Sequence, residues 1–199
     1  MTINPENSYP DVTGVMLAGG KSFRMGRDKA TLEISGRTLA DRMLDLLQSF
    51  FPRTIIVGDR PDLARPGIEI FPDIHPGSSL GGLHTGLTHA STDWIFVGPC
   101  DMPFPDAGLL EQLLDQRGTV AAVVPRSPLG FEPLFALYHK DCLPHLEAML
   151  QQGNFRIYDF YTRVRVNYLD PSSYSADWQR LLYNINSPED LLRLEKEKK

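Results

Sequence analysis

The sequence has few cysteines, no excess of positive charge and no long apolar run. Its two cysteines, Cys100 and Cys142, cannot form a disulfide framework and lack metal-ligand spacing, which indicates a reducing compartment. The net charge of -5 argues against nonspecific nucleic-acid binding, which needs a basic face. No segment approaches the ~20 apolar residues of a membrane helix, and residues 1–13 lack the basic and apolar parts of a secretion signal. We therefore expect a soluble cytoplasmic protein.

The length and the apolar content favour one compact unit. A chain of 199 residues with 42% hydrophobic residues is long enough for one buried core and too short for two comfortable domains. We expect a single domain over residues 1–199, with residues 1–12 flexible and residues 195–199 forming a charged tail.

Short apolar runs alternate with amphipathic segments along the chain. The runs are mostly continuous, as in strands buried on both faces of a parallel sheet. Helices are predicted from the apolar stripe of residues 39–50, capped by Thr38, from leucines at 109–114 and 143–150, and from Ser187-Pro188 onward. This order predicts an α/β fold, a doubly wound and mostly parallel sheet in three α/β/α layers. The predicted strands are residues 15–18, 55–57, 68–71, 95–97, 120–124, 134–138 and 164–166.

The segment 14–29 contains the most informative pattern. An apolar strand runs directly into Gly19 and Gly20, whose missing side chains let backbone N–H groups approach phosphate oxygens. Four cations follow within a few residues, and they would repel one another without an anionic partner. The pattern therefore predicts a loop that binds the polyphosphate of a nucleotide. The cations are Lys21, Arg24, Arg27 and Lys29.

Two better-known phosphate loops do not fit this segment. Gly20-Lys21-Ser22 imitates the end of a Walker A motif, but Val15 stands where that motif needs glycine. The dinucleotide pattern G-x-G-x-x-G also fails, because Gly19 and Gly20 are adjacent and the next glycine is Gly26. A P-loop enzyme and a Rossmann oxidoreductase are both disfavoured.

The segment contains three short motifs, Leu17-Ala18-Gly19-Gly20, Arg24-Met25-Gly26 and Asp28-Lys29. Together they resemble the signature loop of nucleotidyltransferases, most of all that of the molybdenum cofactor guanylyltransferases. The resemblance runs from about residue 13 to 194. It implies a nucleotidyltransferase fold, GTP and molybdopterin as substrates, Mg²⁺ as cofactor, a monomer, and transient contact with cofactor-accepting enzymes. It also implies nucleotide binding by residues 17–20 and Lys29, with Arg24 and Lys29 among the catalytic residues.

Two aspartates follow predicted strands, where ligands of a doubly wound sheet bind. Asp101 ends the run 95–100, and Mg²⁺ can be held by a single carboxylate with phosphate oxygens and waters. On local grounds Asp101 fits a turn cap equally well, but the family places a metal-binding Asp-Met-Pro at this point. Asp73 resembles a family position that contacts the nucleoside, and as a plain loop residue it would need no explanation.

Three further segments match the family. Residues 76–83, with Gly81, resemble a second glycine loop that lies against the base, although Ser78-Ser79 departs from the usual pattern. Asn184 and Asn186 resemble the closing Asn-x-Asn, and in an alternating segment they would point to the same side and bind the pterin or its phosphate. Arg156 is a further candidate for the molybdopterin phosphate.

The expected activity is GMP transfer from GTP to molybdopterin with release of pyrophosphate. A cytidylyltransferase for the same cofactor and a sugar-phosphate nucleotidyltransferase keep the fold and change the substrates. A noncatalytic nucleotide- or cofactor-binding partner is the alternative from another class.

Overall fold

The structure, a computed structural model, describes residues 9–19 and 28–196. Within these ranges ten strands alternate with helices, and short 3₁₀ turns connect several of them. The strands are β1 (Val12–Leu17), β2 (Glu33–Ile34), β3 (Arg37–Thr38), β4 (Arg53–Val57), β5 (Glu69–Phe71), β6 (Trp94–Pro99), β7 (Ala122–Ser127), β8 (Gly130–Phe131), β9 (Ala136–His139) and β10 (Val166–Leu169). The helices are α1 (Leu39–Phe50), α2 (Ser79–His89), α3 (Ala107–Asp115), α4 (Leu143–Gln151), α5 (Trp178–Leu181) and α6 (Pro188–Lys196).

The main sheet is mostly parallel, as predicted. Its strand order is β10-β7-β9-β6-β1-β4-β5, with β8 paired to β7 and a separate β2-β3 hairpin. Strand β9 is antiparallel to both β6 and β7, whereas the other main pairs are parallel. The carboxyl ends of β1, β4, β5, β6 and β7 therefore lie at one edge of the sheet.

Helices cover both faces of the sheet, which confirms the three-layer α/β/α architecture. Successive residues of β1 point to opposite faces: Met16 packs with α1 and α3, and Val15 packs with α2 and α4. All six residues of β1 are buried, which explains why its apolar run is continuous. The predicted caps are also present, since Thr38 Oγ1 accepts from the Asp41 N–H at 3.0 Å and Ser187 Oγ accepts from the Asp190 N–H at 3.3 Å.

Helix α2 corrects the expectation of a long glycine loop over residues 76–83. The helix begins at Ser79, and Ser78 Oγ accepts from the Gly81 N–H at 3.1 Å. Its glycines permit close packing, because a Cβ on Gly81 would lie 1.9 Å from the His75 carbonyl oxygen. A Cβ on Gly86 would lie 2.9 Å from a methyl of Val15. The same glycines lower the helix propensity of the segment, so the sequence pattern does not predict the helix.

The start of the described chain is held against the body of the protein. Residues 9–11 fall inside the segment expected to be flexible. The Tyr9 ring stacks on Phe50, with the ring centroids 6.2 Å apart, and the Tyr9 N–H donates to the Phe50 carbonyl at 3.0 Å. Asp11 pairs with Arg117 at 2.6 Å. Among the described helices, none combines the length and the apolar character needed to cross a bilayer.

Candidate active site

An open cleft of about 770 Å³ lies at the carboxyl edge of the sheet. Its floor is formed by residues 17–19, which follow β1, and its walls come from the ends of β4 and β6 and from the start of α2. This is where a doubly wound sheet binds its ligands, because the loops after parallel strands diverge there.

In the glycine segment the backbone is exposed at Gly19, whereas Leu17 and Ala18 are buried. Leu17, Ala18 and Gly19 line the cleft, and the Ala18 N–H donates to the Val57 carbonyl at 2.9 Å. Gly58 has φ 141°, and a Cβ on it would lie 2.9 Å from the Gly19 nitrogen. Glycine at position 58 thus lets the end of β4 approach this backbone closely. Of the predicted loop residues, Gly20 and Arg24 lie outside the described residues, as do Lys21 and Arg27.

Three predicted site residues from distant parts of the chain meet in the cleft. The Lys29 ammonium donates to Asp101 Oδ2 at 3.2 Å and to Asn186 Oδ1 at 2.9 Å. The Ile185 N–H donates to the Asp101 carbonyl at 3.0 Å, which fixes the closing segment beside the end of β6. The Lys29 and Asp101 side chains are 15% and 21% exposed, so solvent screens this pair less than a surface ion pair. Together they place one cation and two oxygen acceptors at the cleft.

Asp73 lies on the other side of the glycine segment. It follows β5 and lines the cleft. One of its carboxylate oxygens, Oδ1, accepts from the His75 N–H at 2.9 Å and from the Thr85 hydroxyl at 3.0 Å. The strand order β6-β1-β4-β5 therefore places Asp101 and Asp73 on opposite flanks of residues 17–19.

Three other predicted residues lie in the described part of the chain but do not line the cleft, namely Gly81, Asn184 and Arg156. Gly82 lines it in place of Gly81, whose N–H is engaged by Ser78. Asn184 donates to the Leu182 carbonyl at 3.3 Å and is absent from the cleft walls, because residues 184–187 are irregular rather than a strand. Of the two predicted asparagines, only Asn186 lines the cleft. Arg156 is exposed at the start of the turn Ile157–Phe160 and also lies outside the cleft.

Arg60 is a cleft residue that the sequence analysis missed. Its guanidinium contacts Asp62 through Nη2 at 2.7 Å and Asp28 through Nη2 at 2.6 Å. Asp28 in turn accepts from the Ala30 N–H at 3.1 Å and so caps the turn that begins with Lys29. The contact with Asp62 and the charge of Asp28 raise the pKa of Arg60. The only sequence signal was its position two residues after Gly58, the glycine that follows β4.

The oxygen donors of the cleft fit a magnesium ion. The described residues contain no cluster of three or more His, Cys, Asp or Glu side chains able to hold a metal. A cation here would therefore need phosphate oxygens and waters in addition to Asp101 and the amide oxygen of Asn186. Mg²⁺ is bound in that way, through one or two protein oxygens plus substrate phosphates.

Solved structures share this fold. Molybdopterin-guanine dinucleotide biosynthesis protein A from Archaeoglobus fulgidus superposes with a TM-score of 0.79 at 26% identity, over 94% of this chain and 98% of that one. The 4-diphosphocytidyl-2C-methyl-D-erythritol synthase from Anaerococcus prevotii gives a TM-score of 0.70 at 13% identity, over 95% and 96% of the two chains. This second likeness concerns the fold alone. Fold and cleft together define a nucleotidyltransferase.

Sequence comparison identifies the family within that class. Residues 14–166 match the family model described as a MobA-like NTP transferase domain. A probable molybdenum cofactor guanylyltransferase from Pelotomaculum thermopropionicum is 36% identical, over 91% of this chain and 90% of its own. A molybdenum cofactor guanylyltransferase from Vibrio cholerae is 34% identical, over the same shares. The chain belongs to the family of MobA-like molybdenum cofactor guanylyltransferases, which confirms the predicted resemblance.

Proposed function

We propose that this protein transfers GMP from GTP to the terminal phosphate of molybdopterin, releases pyrophosphate and requires Mg²⁺. The observation that supports this most directly is the convergence of Lys29, Asp101 and Asn186 beside the backbone of residues 17–19. This sheet edge suits a metal-bound triphosphate and an anionic acceptor, because it combines a cation, a carboxylate and exposed backbone. The names of the relatives supply the identity of the two substrates.

The reaction is an in-line displacement at the α-phosphorus of GTP. An oxygen of the molybdopterin phosphate forms the new P–O bond while the bond to the pyrophosphate leaving group breaks. The attacking oxygen is already anionic, so no side chain has to remove a proton. Catalysis then rests on positioning and on neutralising charge in the transition state.

The charged side chains of the cleft and the Asn186 amide each have a part in this scheme. Lys29 provides positive charge beside the phosphates, and its contacts with Asp101 and Asn186 fix the position of its ammonium. Asp101 and the Asn186 amide oxygen would hold Mg²⁺, which would neutralise charge on the phosphate oxygens. Asp73, on the opposite flank, is placed to contact the nucleoside. Arg60 holds Asp28 and thereby the turn from which Lys29 extends.

A nucleotide panel with molybdopterin as acceptor tests the proposal. We expect Mg²⁺-dependent pyrophosphate release and dinucleotide formation with GTP and much slower reaction with CTP, since a site built for one base rejects a base that leaves its polar groups unpaired. Equal transfer from CTP would overturn the guanylyl assignment and favour a cytidylyltransferase. GTP binding without pyrophosphate release would identify a noncatalytic binding protein.

A further inference from the structure

A group of aromatic rings with one arginine lies at the end of β7, outside the cleft. We call it the aromatic patch, formed by Arg126, Phe131, Tyr158 and Tyr168. The Arg126 guanidinium lies 5.4 Å from the ring centroid of Phe131 and 5.5 Å from that of Tyr168. The Phe131 ring lies 5.4 Å from Tyr168 and 6.1 Å from Tyr158. Arg126 forms no ion pair with any carboxylate in the described part of the chain.

The patch is accessible although its rings are apolar. Tyr158 is 46% exposed and Tyr168 is 40% exposed. Phe155 and Leu129, which flank the patch in sequence, are 56% and 78% exposed. A cluster of exposed rings marks a binding site more often than a random part of a protein surface. An arginine among exposed rings adds attraction for a planar, electron-rich ligand.

The sheet register places the aromatic patch next to the cleft. Val123 of β7 is level with Leu137 of β9, which is level with Phe96 of β6. Arg126 and Pro99 each follow three residues later on strands that run in the same direction, so they are level as well. Two strand spacings separate them, which corresponds to about 10 Å. The patch and the reacting centre therefore share one edge of the sheet.

The chain between β8 and β9 connects the two regions. Phe131 belongs to the patch, Leu134 lines the cleft, and both pack against the same core under α2 and α4. Between them lies Glu132, which is half-buried. Its carboxyl forms no hydrogen bond or ion pair with the residues that the structure describes. A carboxylate held in this way suits a ligand edge that carries N–H donors.

We propose that the aromatic patch is the subsite for the planar heterocycle of the acceptor, an aminopyrimidinone of the pterin class. Arg126, Phe131 and Tyr168 contact the faces of the ring system, and Glu132 accepts from its amino edge. The inference rests on the proposed function, which requires an acceptor with a phosphate at one end and a pterin at the other. With its phosphate at Asp101, such a molecule is long enough to reach the patch. Burial raises the pKa of Glu132, because the carboxylate loses water that no partner among the described residues replaces.

Binding of free pterin, measured by fluorescence titration of the full chain without nucleotide, tests the subsite. We expect Arg126→Gln and Tyr168→Leu each to weaken pterin binding about tenfold, from the loss of a cation–π or stacking contact. Both side chains are exposed, so folding should survive, and an unchanged thermal transition verifies this. The matched controls are Arg37→Gln and Tyr174→Leu, which alter an exposed arginine and an exposed tyrosine elsewhere and should bind pterin normally.

The KM for molybdopterin in the transfer assay gives a second readout. The variants should raise this KM and leave the dissociation constant for GTP unchanged. If the wild-type protein transfers GMP and the variants keep its pterin affinity and its KM, the subsite is wrong and the proposed function stands. If pterin binding depends on the patch but no GMP is transferred, the proposed function is wrong and the subsite stands. Protection of the patch by a protein or a nucleic acid, with no effect of pterin, would also overturn the inference.

Discussion

The Lys29 ammonium lies 3.2 Å from the Asp101 carboxylate, although 72 positions separate the two residues in the chain. One extends from the turn after the glycine segment, and the other follows β6. Both side chains are mostly buried, so each holds the other in place. The pair links the segment that approaches the phosphates to the strand end that provides the carboxylate, and the first predictions concern its two members.

Asp101→Asn should preserve the fold and lower turnover. The amide keeps the shape of the side chain and removes the negative charge, so Lys29 and the metal lose their common anionic partner. We expect turnover to fall by at least ~10², the range seen when one electrostatic stabiliser is removed. A steady-state assay of pyrophosphate release measures this, and the thermal transition serves as the control for folding. Turnover equal to wild type in a folded variant would contradict the role of Asp101.

Lys29→Ala should weaken GTP binding and slow transfer, because the triphosphate loses a cation and Asp101 loses its partner. Titration calorimetry with GTP and the transfer rate report the two effects separately. Lys140→Ala is the matched control, since Lys140 lies at the start of a 3₁₀ turn away from the cleft and its ammonium pairs with Asp93 at 3.7 Å. If both variants behave like wild type, Lys29 is a surface residue without a function in the reaction.

The asparagines that close the site should differ in their effects. Asn186 contacts Lys29 in the cleft, whereas Asn184 contacts the Leu182 backbone. Asn186→Ala removes the hydrogen bond to Lys29, worth about 1 kcal/mol, and one proposed oxygen donor for Mg²⁺, so we expect the transfer rate to fall at least about fivefold. Asn184→Ala should leave the rate within a factor of about two, because its hydrogen bond to the Leu182 carbonyl lies outside the cleft. Equal losses in two folded variants would restore the expectation that the two amides act together.

The glycines at the start of α2 provide a test of packing. A Cβ at Gly81 would lie 1.9 Å from a backbone oxygen, whereas at Gly82 its nearest contact would be a Leu17 methyl at 3.3 Å. Gly81→Ala should therefore lower the free energy of unfolding by ~1–3 kcal/mol through overpacking. Gly82→Ala should have a smaller effect, because the helix propensity it gains offsets the tighter contact. Urea denaturation of both variants measures the difference, and equal stabilities would show that residues 75–78 shift freely.

The sequence predicts the sheet better than it predicts the cleft. Strands such as β1 and β6 are buried on both faces, so their apolar runs are visible without any knowledge of their neighbours. Lys29 and Asp101 could be found because each belongs to a short motif, Asp28-Lys29 or Asp101-Met102-Pro103, that resembles one of the family. Arg60 could not, since its importance depends on contacts with Asp28 and Asp62 that only folding creates.

Dependence on contacts that form only in the folded protein also explains the errors of the sequence analysis. The run that became β9 does not reveal that it lies antiparallel to its neighbours, because direction is set by the connections and by pairing. Helix α2 was hidden because glycine has low helix propensity, although close packing against His75 and β1 requires glycine there. Asn184 and Asn186 were expected to alternate like strand residues, but the segment is irregular and follows the Asp101 backbone instead.

Glu132→Gln should stabilise the protein at neutral pH. Burial raises the pKa of this carboxyl in the folded state, so the unfolded chain loses its proton at lower pH than the folded one. The free energy of unfolding therefore falls as pH rises from about 4.3, the ordinary value for Glu, through the raised pKa, and then stays level. Glutamine removes this loss, and the variant should exceed wild type in stability at pH 7 and match it below pH 4. Urea denaturation at both pH values measures the effect, with Glu33→Gln, at an exposed residue of β2, as the control. A variant no more stable than wild type at pH 7 would show that the Glu132 carboxylate is well solvated in the folded protein.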